Sequence, residues 1–153
     1  YRSNTRLYLM PERQRVTTVS PLLLDVTPAG AADPKKLPAG GYPLAAGTRV
    51  SSFLLFFRPE ENPLALPVDI SGSITFSQPV LGVIAGGTRL IQSDDLLGHP
   101  RGVYRDKPRR GIEKGRKQEG RDVVRISRDG RRVFFSLHAT ADPDEFRVLV
   151  AAP

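Results

Sequence analysis

The chain has 153 residues, 39% of them apolar and 25% charged, which fits one globular domain and excludes a disordered chain. Fourteen glycines and fourteen prolines disfavour long helices, and with no cysteine neither disulfides nor thiolate metal sites can hold the fold. The formal net charge is +7, and no apolar run reaches the roughly 18 residues that span a bilayer.

Because the chain opens on Tyr1 rather than Met, a segment removed upstream by processing or trimming is expected. Residues 1–27 hold Leu7-Tyr8-Leu9-Met10, Val16-Thr17-Thr18-Val19 and Leu22-Leu23-Leu24-Asp25-Val26, short aliphatic and β-branched runs broken by Pro11 and Pro21. They predict two or three brief strands with the prolines at strand ends. Residues 28–48 are rich in proline and glycine without an apolar period, which predicts a loop.

From residue 49 the pattern sharpens into a core that runs to residue 151. Val50 to Phe57 reads as a strand buried on both faces, since six of its eight residues are apolar. In Val68 to Phe76 the residues Val68, Ile70, Ile74 and Phe76 share one face, the period of two of a half-buried strand. Pro79 to Ala85 reads as a central strand closed by Gly86-Gly87, and Thr88 to Ile91 as a further short one. Ser93-Asp94-Asp95-Leu96-Leu97-Gly98 has a cap residue, early acids and a closing glycine, which predicts a single helical turn. Arg128-Asp129-Gly130-Arg131 joins two β-rich runs, a hairpin signal because glycine accepts positive φ without a steric penalty. Glu145 to Val150 supplies the last strand. The expectation is an all-β, antiparallel β-sandwich, jelly-roll-like, with one short helical turn, in a single domain over 1–153.

The strings SSFLLFFRPEEN, SGSITFSQPVLGVIA, SDDLLG, RGIE and DVVRISRDGRRVFFSLHATADPDEFRVLV, in that order, resemble a β-sandwich domain of secreted bacterial surface and extracellular proteins. The likeness runs from about Gly47 to Val150. It implies a sandwich fold and an extracellular or cell-surface location, and it implies no catalytic residues. Two features depart from the pattern: Phe56-Phe57-Arg58-Pro59 stands where such domains tend towards His-Phe-Asp-Pro, and the loop after Gly98 is unusually basic.

That loop, residues 101–121, carries nine Lys or Arg against Asp106, Glu113 and Glu119, a local charge of +6. Arg105, Lys107, Arg109, Arg110, Lys114, Arg116 and Lys117 are candidates to contact an acidic polysaccharide, anionic headgroups, nucleic-acid phosphates or an acidic patch on another copy. A solvated insertion is the plainer reading. Nucleic acid is disfavoured because Tyr104 is the loop's one aromatic. Asp142, Asp144 and Glu145 are weak metal candidates, with calcium the ion considered; a turn closed by acids is the plainer reading, and no cofactor is expected. His99 and His138 lack zinc-ligand spacing, and no Gly-x-Ser-x-Gly is present, which points away from an enzyme.

Two functional expectations follow. The first is a structural subunit of an extracellular assembly, a fibre, matrix or surface-layer component, in which the N-terminal strands are donated to a neighbouring subunit through Leu7, Leu9, Val16 and Val19. The second is a carbohydrate- or polyanion-binding module.

Overall fold

The structure is a computed structural model that describes residues 1–28, 31–32, 40–106, 108–112, 122–140 and 142–153. Its long strands are β6 (Arg49–Phe57), β7 (Val68–Thr75), β8 (Val80–Ile84), β9 (Val123–Ile126), β10 (Arg132–Ala139) and β11 (Asp144–Ala151). Shorter ones precede them: β1 (Tyr8–Pro11), β2 (Val16–Thr17), β3 (Leu22–Leu24), β4 (Ala31–Ala32) and β5 (Tyr42–Leu44). The first sheet runs β1-β6-β11-β8, with β2 also on β6; the second runs β4-β9-β10-β7; β3 and β5 form a ribbon. Every pairing between strands is antiparallel. The sandwich is therefore all-β, and its sheets keep open edges instead of closing into a barrel.

Alternation along each strand explains the layering. Leu55, Phe57, Val83, Phe146, Val148 and Val150 of the first sheet meet Val124, Ile126, Val133, Phe135 and Leu137 of the second in one apolar core. The intervening residues of the first sheet, among them Val50, Leu54, Ile84 and Leu149, point the other way. A third layer covers them with Leu24 of the ribbon and with Leu90 and Leu97 of a helix. Two-sided cover is why β6 and β11 read as almost continuous apolar runs.

The helix corrects one expectation. Thr88 to Ile91 is not a strand but the opening of α1 (Gly87–Leu97), which absorbs the single turn expected at Ser93 to Gly98. Leu90, Ser93 and Leu97 fall on one buried face, a three-and-four spacing that a β reading of four residues misses. Ser93 is consequently no cap; it lies mid-helix and its hydroxyl donates to the Leu90 carbonyl at 3.0 Å. Asp25, from the segment after β3, serves the helix start by accepting the Ala85 and Gly86 N–H groups at 2.7 Å each. Gly98 does close the helix, its N–H returning to the Asp94 carbonyl at 2.8 Å.

The expected central strand, β8, has among the described residues one strand neighbour, β11. Its other side is bridged by Val26 through Val83. Gly82 allows that approach: a Cβ there would lie 2.4 Å from Leu24 Cδ1 and 2.8 Å from the Val26 carbonyl oxygen. The β9–β10 hairpin forms at the expected place, with Gly130 at φ +70°.

Leu149→Ala, a fully buried residue between sheet and helix, is expected to cost about 2–5 kcal/mol. Ile70→Ala, half-buried on the edge strand β7, should cost clearly less. Urea unfolding with unchanged m-values checks the contrast.

Candidate functional site

Tyr104, Arg105 and Arg110 of the basic loop join a buried knot of charge beside α1. At its centre is Arg147, whose side chain has no exposed surface. It lies in β11 between Phe146 and Val148, which face the sandwich core, so it points towards the helix layer. Its Nε and one terminal nitrogen donate to the two Glu12 carboxylate oxygens at 2.6 and 2.7 Å. That nitrogen also reaches Asp94 at 2.8 Å, while the other donates to the Ser93 hydroxyl at 2.5 Å and the Leu90 carbonyl at 3.2 Å. A guanidinium has five N–H groups, and all five are matched.

Arg110, the last residue of a short 3-10 turn (Pro108–Arg110), completes the knot. It donates through Nε to Glu145 at 2.8 Å, forks onto Asp94, and reaches the Arg105 carbonyl at 3.3 Å. The Tyr104 ring lies by both guanidinium carbons, 5.2 Å from that of Arg110 and 5.8 Å from that of Arg147. Its hydroxyl donates to Glu12 at 2.8 Å and accepts the His99 N–H at 2.6 Å. Glu12 in turn accepts the Ser52 hydroxyl of β6 at 2.6 Å. Midway along the loop the chain presses close at Gly111, where a Cβ would stand 2.3 Å from the Ala85 carbonyl oxygen.

Burial raises the Tyr104 pKa from 10.0 to about 12; the Glu12 carboxylate adds to the rise, while the His99 N–H and the Arg147 charge oppose it. For Arg147, burial works against the charged form, but the hydrogen bonds and charges of Glu12 and Asp94 outweigh it and hold its pKa above the ordinary value. Arg105, Arg110 and Arg147 thus face Glu12, Asp94 and Glu145, three cations against three anions.

This geometry divides the expected polyanion contacts. Arg110 is withdrawn from that role: its side chain is fully buried and its charge is matched by Asp94 and Glu145. Arg105 is partly committed, 3.7 Å from Glu145 with 36% of its side chain exposed. Arg109 is exposed, as is Arg101. Lys107, Lys114, Arg116 and Lys117 lie outside the described residues.

The weak metal candidates do not gather into a site. Asp144 and Glu145 alternate to opposite faces of β11, and Glu145 is held by Arg110 and Arg105. Asp142 lies before the strand, half-buried. Among the described residues no three His, Asp or Glu side chains gather as a metal site. His138 pairs with Asp69 of β7 across the second sheet.

The N-terminal strands lie on their own chain, Tyr8–Pro11 against Phe53–Phe56 and Val16–Thr17 against Arg49–Val50. Leu7 packs on the sandwich core and Val16 on the helix-side cluster. Leu9 and Val19 remain exposed, at 40% and 82%. Because Glu12 follows β1, removing residues 1–20 would also strip Arg147 of its main partner.

No family model, curated protein or solved structure matches the chain.

Glu12→Ala leaves Arg147 buried without its bidentate partner and is expected to cost about 3–5 kcal/mol in chemical unfolding. Since the folded Tyr104 pKa is raised, its contribution is intact below pH 10 and fades as pH climbs from 10 through about 12. A tyrosinate absorbance titration should show a component near pH 12 that Tyr104→Phe removes.

Proposed function

We propose that this chain is a non-catalytic structural subunit of an assembly at the bacterial cell exterior, whose copies join by strand pairing along β7. The observation that carries the reading is the state of that edge. β7 is eight residues long and, among the described residues, has β10 as its single strand neighbour. Its inward residues Val68, Ile70 and Ile74 are only half-buried, and the others are exposed.

Soluble proteins ordinarily protect such an edge with lysine, proline, a bulge or a covering segment. β7, Val-Asp-Ile-Ser-Gly-Ser-Ile-Thr, holds neither lysine nor proline, and its register with β10 is continuous from Val68 to Thr75. Its one charge, Asp69, is held by His138. Leu64 and Leu66, in the segment leading into the strand, are 76% and 54% exposed and add apolar surface nearby. A second strand laid on this edge would satisfy a row of backbone groups and cover those leucines.

Two further points support a binding role over a catalytic one. The clustered acids and arginines of the helix layer neutralise one another and hold the loop, so they form structural pairs. The resemblance to secreted bacterial surface domains points to the cell exterior.

Sedimentation or light scattering should show the full chain heavier than 16.8 kDa, increasingly so with concentration. The pair Ser71→Lys and Ser73→Lys alters exposed positions only. It should keep the melting temperature and return the protein to a monomer by placing like charges across the joined edges. A wild-type chain that stays monomeric at every concentration, or a variant that assembles equally well, would sink the reading.

A further inference from the structure

We infer that the outer face of the second sheet binds an acidic polysaccharide, which it recognises through carboxylate or sulfate groups. The site shares β7 with the proposed joining edge but uses its outward side chains, not its free backbone groups. The antiparallel register sets Phe134 of β10 opposite Arg125 of β9 on one side and Ser73 of β7 on the other. Arg132 lies two residues earlier on the same face, opposite Thr75. The Arg125 guanidinium carbon sits 4.0 Å from the Phe134 ring centroid and that of Arg132 5.9 Å away. Two like charges are therefore gathered on one aromatic ring, whose negative π-face offsets part of their repulsion.

Among the described residues neither guanidinium has a carboxylate within ion-pair distance. Two acids bound the face at its ends, and both are committed. Asp129 feels the Arg132 charge, but its carboxylate is held first by the Ser127 hydroxyl and then by the Arg131 N–H, which also depress its pKa. Asp69, at the opposite end, is taken by His138. Arg132 spends its Nε on the Thr75 hydroxyl at 3.2 Å and keeps its terminal nitrogens. What remains is a pair of guanidinium forks, the group whose geometry matches a bidentate oxyanion.

The rest of the face indicates which oxyanion-bearing polymer fits. Ser71, Ser73, Thr75 and Ser136 are exposed beside the arginines and supply hydroxyls to pair with sugar hydroxyls. A nucleic acid would need bases to stack, and the single ring here is already overlain by Arg125. A lipid surface would need apolar side chains to insert, and apart from Phe134 the outward residues of β7 and β10 are polar. An extended anionic sugar chain meets the flat, hydroxyl-rich, cationic surface on all three counts.

The test passes the full chain at low salt over immobilised polygalacturonate, dextran sulfate and neutral dextran. The expected result is retention on one or both acidic polymers, release by added salt and none on neutral dextran; the two acidic arms separate a carboxylate from a sulfate preference. Arg125→Gln with Arg132→Gln should weaken binding roughly ten- to hundred-fold, at an unchanged melting temperature. Phe134→Leu should cause a smaller loss. The control Arg6→Gln with Arg15→Gln, exposed charges of the N-terminal segment, should leave binding near wild type. Absence of retention on both acidic polymers, full retention of the Arg125/Arg132 variant, or tighter binding to single-stranded DNA or anionic vesicles would each overturn the inference.

Discussion

The structure depends on one buried cation. Arg147 stands in the middle of a strand covered on both faces, where an unpaired charge would cost several kcal/mol of desolvation. Its five matched donors offset that cost and determine what must surround it: Glu12 from the N-terminal segment, Ser93 and Asp94 from the helix, and the backbone of Leu90. A slip of β11 by one residue would turn Arg147 towards the sandwich core, away from Glu12 and Asp94 and among apolar side chains such as those around Phe146 and Val148. A buried pair of this kind adds little net stability, yet a pairing that separated Arg147 from its carboxylates would leave an uncompensated buried charge.

The same constraint organises the loop. Arg110 reaches Asp94 and Glu145, Tyr104 lies between the two arginines, and Gly111 presses against the backbone that begins α1. Electroneutrality inside the knot means that the loop's base contributes little field to the surroundings. Positive charge available to a partner is thus displaced outward, to Arg101 and Arg109 on the loop and to Arg125 and Arg132 on the second sheet. Local sequence charge and usable surface charge are different quantities, and here burial separates them.

Much of the fold was legible. Two-sided burial of β6, one-sided burial of β7 and the Asp129-Gly130 hairpin follow from apolar period and turn chemistry, and each lies where those signals place it. Thr88 to Ile91 misleads because four residues cannot distinguish a period of two from one of 3.6; the evidence for helix is the Leu90–Leu97 spacing, which extends beyond the window. The knot was not legible as a set, since Glu12 and Arg147 are 135 residues apart. One signal was available: an arginine amid Phe146, Val148, Leu149 and Val150 implies a buried partner. Counting the loop's charges without asking which are paired led instead to Arg110 as a surface ligand.

Eighteen of the 23 cationic residues are arginine, and the structure shows why lysine would not serve in the places that can be compared. Around Arg147 a planar fork is needed to span Glu12, Asp94 and Ser93 at once; an ammonium has three donors and no such reach. On the second sheet a guanidinium can lie flat on Phe134 while directing its N–H edges outward, whereas a compact, strongly hydrated ammonium would lie there less readily. The two settings differ in what surrounds the fork: two carboxylates hold that of Arg147, while among the described residues none lies in ion-pair range of Arg125 or Arg132. Antiparallel joining of two β7 edges about an axis normal to the sheet would place both outer faces on the same side. Such a joining closes a dimer with two cationic, hydroxyl-lined faces side by side, and a polymer bridging both gains by effective concentration what a single pair of arginines lacks in affinity.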